Sequence, residues 1–292
     1  MTLKKDVEAS IEENISATVE YMKQINESFN AALEDEKKQK EHQQLTDAVL
    51  SAWLALMFAN FEEDLYTSAQ TGIDEADKQL KAKNITEIKN KEITIDTYEQ
   101  QINARLESVK SDLITVAEEI KSNGNSIFKD LSVKFDKKKR EELSEQLLKI
   151  LKENGITHFY DKAGRKWQIE TYVKMRTLTD LVQGERVAFF TRATQYGVDL
   201  VRIVHLNLHP QCELCIPFNG KILSINGKTP GYMTIQDAAI QGLFHPNCDH
   251  IPEQLELAPV DKGGDGLIEL SEANKKRAEY NKKKNFNMFW TF

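Results

Sequence analysis

Proline is absent from the first 209 residues of this 292-residue chain, and Gly72 and Gly124 are the only glycines before Gly155. All six prolines lie between Pro210 and Pro259. A stretch of about 150 residues with so few breakers is helical by default. Long apolar runs are also missing: none approaches the ~20 residues that a helical membrane span needs. The N-terminus is charged at Lys4, Lys5 and Asp6 and has no apolar segment, so no signal peptide is expected. Basic residues are in deficit, with 39 Lys and Arg against 46 Asp and Glu and a net charge of −7. That balance disfavours a protein that coats nucleic acid along its whole length. Three cysteines are too few for a disulfide framework. Two of them form a Cys-X-X-Cys, which points to a reducing compartment and metal ligation.

The apolar pattern of the first half agrees with helix. Val7, Ile11, Ile15, Thr18, Met22, Ile25, Phe29 and Ala32 step by three or four along one stripe. Leu45, Val49, Trp53, Leu56 and Phe58 carry a second stripe, in a segment expected to end near Gly72. Ile85, Ile88, Ile95, Ile102, Leu106, Val109, Leu113, Val116 and Ile120 make a third, with Gly124 as its expected end. Such charged helices with narrow seams predict an antiparallel bundle or a coiled-coil hairpin, and the stripes also suit self-association. The basic run Lys134, Lys137, Lys138, Lys139 and Arg140 reads as a solvated helix start.

From Gly155 the grammar changes. Residues 156–160 and 166–169 flank Gly164 as a β-hairpin. A helix follows over 170–196, stopped by Gly197. Residues 199–206 and 220–225 read as strands. Thr234 caps a short helix over 235–241, with Asp237 three residues on. Gly263, Gly264 and Gly266 read as a hinge, residues 270–281 as a short charged helix, and Phe286, Phe289, Trp290 and Phe292 as an aromatic tail that must dock somewhere. The predicted class is therefore α+β: an elongated helical domain over 1–150, a small α+β domain over 151–260, and a basic, aromatic tail over 261–292.

The chemistry is concentrated in the α+β domain. All three cysteines and four of the six histidines fall between His205 and His250. Cys212 and Cys215 sit on one tight turn, and His245, Cys248 and His250 follow about thirty residues later. Thiolates and imidazoles at these spacings suit a tetrahedral, structural Zn²⁺. The expected ligands are Cys212, Cys215 and Cys248, with His245 or His250 as the fourth. His205 reads as a satisfied core or loop residue. A zinc deaminase would need a His-X-Glu before its Cys-X-X-Cys, and His205-Leu206-Asn207 lacks the glutamate. A zinc-dependent DNA nuclease is the alternative reading, with a histidine as base beside a second metal. Its candidate histidines sit too close to the cysteines to be free.

Several ordered blocks carry a family resemblance. They are Gly155-Ile-Thr-X-Phe159-X-Asp161-Lys-Ala-Gly-Arg165-X-Trp167, Tyr172-X-X-Met175-Arg176-Thr177 and Gly197-Val-Asp-Leu-Val-Arg202-Ile. Cys212-X-X-Cys215-X-Pro-Phe-X-Gly220-Lys-Ile-X-Ser224 and Phe244-His-Pro-Asn-Cys248-X-His250 complete them. Together these resemble the tailed-phage minor capsid proteins, the minor capsid protein 2 group related to Mu F-like head morphogenesis proteins. The resemblance runs from Gly155 to Pro252. It implies a virion component of the capsid interior near the portal, first present in the host cytoplasm during assembly, and not an enzyme. Implied partners are the portal protein or major capsid protein and packaged double-stranded DNA. Implied roles are head morphogenesis, genome packaging or DNA delivery. Asp249 departs from the arginine common at that place, which weakens a DNA contact there.

Overall fold

A computed structural model describes residues 2–34, 38–133, 158–161, 164–208, 210–256 and 268–284. The basic run at 134–140, His209, the glycine hinge and the aromatic tail lie outside the described residues.

Three long helices open the chain: α1 (Thr2–Glu34), α2 (Gln39–Ala82) and α3 (Ile95–Val133). The hairpin β1 (His158–Tyr160) and β2 (Lys166–Gln168) leads into α4 (Ile169–Gln195). Then come β3 (Leu200–His205), β4 (Ile222–Ser224), α5 (Ile235–Ile240), β5 (His250–Glu256) and α6 (Glu272–Lys283). The chain is thus mainly helical, with a helical N-terminal half and a small strand-containing C-terminal region.

Two compact units are present. One contains Ser10–Phe61 and Glu107–Lys174. Within it Met22, Ile25 and Phe29 of α1, Trp53 and Met57 of α2, and Val109, Leu113 and Ile120 of α3 are buried, as expected of stripes with helical period. Polar groups join them: Trp53 Nε1 donates to Thr18 Oγ1 at 3.1 Å, and Asn60 Nδ2 to Asn14 Oδ1 at 2.8 Å. The hairpin packs here too, with Phe159 and Trp167 edge-on to Tyr172.

The other unit contains Met1–Ala9, Glu62–Leu106 and Met175–Phe292. Its sheet has the order β4-β3-β5, all antiparallel, with β3 central. One core gathers Phe189, Phe190, Val201, Ile203, Phe218, Leu223, Ile235, Leu243 and Leu255, with Cys215 and Cys248 among them. Gly197 ends the α4 segment at φ 75°, and Thr234 accepts from Asp237 N as the cap of α5.

Two expected helix ends are corrected. α2 runs through Gly72 and α3 through Gly124. At Gly72 the reason is visible: a Cβ there would stand 2.2 Å from the backbone oxygen of Glu185. Glycine serves close approach of α2 and α4, as does Gly184, where a Cβ would meet Ser68 Oγ at 2.8 Å. Ile85 and Ile88, assigned to the third stripe, precede α3 and lie in the segment after α2.

Candidate metal centre

The knuckle begins just after β3. Cys215 N and Ile216 N both donate to Cys212 O, closing a tight turn. A short 3₁₀ turn, Ile216–Phe218, follows and buries Phe218 in the core. That anchor aims Cys215 inward, leaving it 1 % exposed.

The second ligand segment folds between α5 and β5. Gly242, at φ 112°, reverses the chain after α5. Cys248 N then donates to His245 O. Phe244 and Asn247 both adopt positive φ, 62° and 66°; asparagine tolerates this region, but the bulky Phe244 needs outside support to hold it. α4 supplies it through side chains one turn apart. Thr179 Oγ1 accepts from Asn247 N, Gln183 Nε2 donates to Phe244 O, and Arg186 donates to His250 O and Cys248 O. Positions 179, 183 and 186 share one helix face.

The two segments bring five donors together. Cys212 Sγ lies 2.8 Å from His245 Nε2, Cys215 Sγ 3.5 Å from Cys248 Sγ, and Cys248 Sγ 3.6 Å from His250 Nδ1. Cys212, Cys215 and His245 form one group within 4.8 Å, and Cys215, Cys248 and His250 another, with Cys215 shared. Sulfurs bound to one tetrahedral Zn²⁺ at ~2.3 Å stand about 3.8 Å apart, so the Cys215–Cys248 spacing suits an ion.

The acid–base chemistry fits as well. A hydrogen bond from Cys215 lowers the Cys212 thiol to about 4, against the effect of burial. Its bonds to Cys212 and Cys248 push Cys215 far up, so it keeps its proton. Burial opposes ionisation of Cys248, but Cys215 and Arg186 bring it well below the usual thiol range. Burial lowers His245, and the Cys212 sulfur more than offsets it, for a net rise. The proton on Cys215 is one that a bound cation would displace.

The contacts of two neighbours, Arg186 and Asp249, escaped sequence reading. Arg186 is fully buried, with Nη2 3.7 Å from Cys248 Sγ and the guanidinium 4.1 Å over the Phe244 ring. Asp249 is fully buried and accepts from Leu208 N while pairing with His205 Nε2 at 2.8 Å. It is an interior group, so its charge says nothing about a DNA-facing surface. His250 opens β5 in register with His205 of β3, the rings 5.0 Å apart. The strand β5 lacked a clear signal because Pro252 interrupts its alternation.

These features define a mainly helical protein carrying a Cys/His cluster able to hold a metal ion. The family model for phage minor capsid protein 2 matches residues 24–260, and the chain belongs to that family. It is accordingly a structural protein of the phage head. No curated protein and no solved structure matches it. No helix among the described residues is long and apolar enough to cross a membrane.

Proposed function

We propose that this minor head protein acts near the portal vertex, in head morphogenesis, genome packaging or DNA delivery, and that one structural Zn²⁺ holds its C-terminal module rigid. The observation that carries the metal reading is the convergence of two overlapping groups, Cys212, Cys215 and His245 and then Cys215, Cys248 and His250, from two segments about thirty residues apart. His245 is the better fourth ligand. Its Nδ1 is bonded to Pro246 O, the partnership that leaves Nε2 free to bind metal. His250 directs Nδ1 at Cys248, but its buried Nε2 has no hydrogen-bond partner to fix the complementary tautomer. In this reading His250 packs behind the site. Zinc contributes to folding what a thin sheet of three strands cannot.

The division of labour follows the two units. The unit of Ser10–Phe61 and Glu107–Lys174 is the arm that engages the portal or major capsid protein or a second copy, and the unit that carries the Cys/His cluster is the knob, with α6 clipped to it. The protein performs no turnover. The nuclease alternative is not favoured, since both candidate bases face sulfur. Mass spectrometry of purified particles and of heads from a phage lacking the gene tests the role. The protein should be found in the head fraction, and its loss should leave defective heads. Fully infective particles of normal composition without it would contradict the proposal.

A further inference from the structure

Arg186 is a buried charge. It sits inside α4, fully buried, and no carboxylate among the described residues forms an ion pair with it. Its Nε and Nη2 bond to the carbonyls of His250 and Cys248, and its Nη1 makes no hydrogen bond. Carbonyl dipoles and an aromatic face do not cancel a full positive charge. A buried cation without an anion is disfavoured by several kcal/mol. The nearby acids do not supply that anion. Asp180 is held by Arg105 and Arg176. Glu185, also buried, is attracted by Arg186, but burial outweighs that attraction and raises its carboxyl to about 8, so it is mostly protonated at neutral pH.

The sulfurs can supply it. Nη2 stands 3.7 Å from Cys248 Sγ. A divalent ion with three thiolates and one neutral imidazole carries a net charge of −1, which one guanidinium balances. We propose that Arg186 is the counter-ion of the metal–thiolate centre, a positioning residue that fixes both the charge of the site and the backbone of Cys248 and His250. This rests on the metal reading given under Proposed function. It explains why a charge is buried at this place on α4: the site is built for three thiolates and not two.

The test is a charge-swap cycle on the full chain, with Zn²⁺ affinity measured by competition with a chromophoric chelator at neutral pH. Arg186→Met should weaken binding by about 10–100-fold, the range for loss of a partner behind a metal ligand. Cys212→His makes the site neutral, and in that background Arg186→Met should weaken binding far less. His245→Cys adds a negative charge, and there the same substitution should weaken binding more than in the native chain. It also serves if Cys212→His fails to fold. Equal losses in all backgrounds would overturn the counter-ion role while leaving the zinc site intact. A native chain that takes up no Zn²⁺ would overturn the site itself, and this inference with it.

Discussion

Cys215 and Cys248 lie 33 residues apart in sequence, yet their sulfurs are 3.5 Å apart inside the hydrophobic core. The contact joins the knuckle after β3 to the segment before β5.

Close packing of α2 on α4 turns on Gly72. In an isolated helix, alanine for glycine would be favourable by up to ~1 kcal/mol. Here the added Cβ would meet backbone oxygen and carbon of Glu185 at 2.2 and 3.0 Å, and backbone does not give way as a side chain does. Gly72→Ala should therefore destabilise by about 1–3 kcal/mol in urea unfolding. A neutral or stabilising result would show that the helices are not in this contact.

Asp180 is fully buried between Arg105 at 2.8 Å and Arg176 at 3.0 Å. Asp180→Ala leaves two guanidinium groups facing each other without their anion. The expected loss is about 3 kcal/mol, at the low end for a broken buried pair because both arginines keep some solvent. A loss below ~1 kcal/mol would contradict the pairing.

Much of this was legible before the structure. The hairpin around Gly164, the strands near 200 and 222, and the Thr234 cap are local signals, and each lies where its turn residue or cap places it. The donor cluster was legible because thiols and imidazoles are rare and closely spaced. Gly72 misled because its role is tertiary: sequence shows a missing side chain but not what approaches it. Arg186 escaped for a related reason. A single arginine in an amphipathic helix looks solvated until the loop it holds is folded against it. Asp249 escaped because its partner, His205, comes from another strand.

Glu185 gives a pH signature. Its carboxyl is fully buried and raised from the ordinary range near 4.5 to about 8, chiefly by burial. Between those values the folded chain holds a proton that the unfolded chain has released, so stability falls as pH rises, by roughly 1.4 kcal/mol per unit at most. Glu185→Gln keeps the shape and removes the titration. The stability difference between variant and native chain should grow in favour of glutamine from about pH 4.5 to about 8, then level off. A difference that stays flat across that window would mean Glu185 is not held neutral.

The C-terminal helix α6 is clipped to the module by asparagine. Asn274 Nδ2 donates to Leu214 O of the knuckle and to Gln241 O after α5, while Asn281 Nδ2 donates to Ile240 O. Asn274 also completes a capping box with Ser271. Asn274→Ala should cost about 1–3 kcal/mol, since it strips two carbonyls of their donor. Hydrogen exchange should locate the loosening in α6 and the knuckle. Protection unchanged there would contradict the clip.

The most direct measurement is metal content and thermal stability of the purified chain, with and without chelator, beside Cys212→Ser and Cys248→Ser. About one zinc per chain is expected in the native protein, with metal lost and the unit that carries the Cys/His cluster unfolded in both variants and in chelator. A native chain that is metal-free, fully folded and indifferent to chelator would contradict the metal reading.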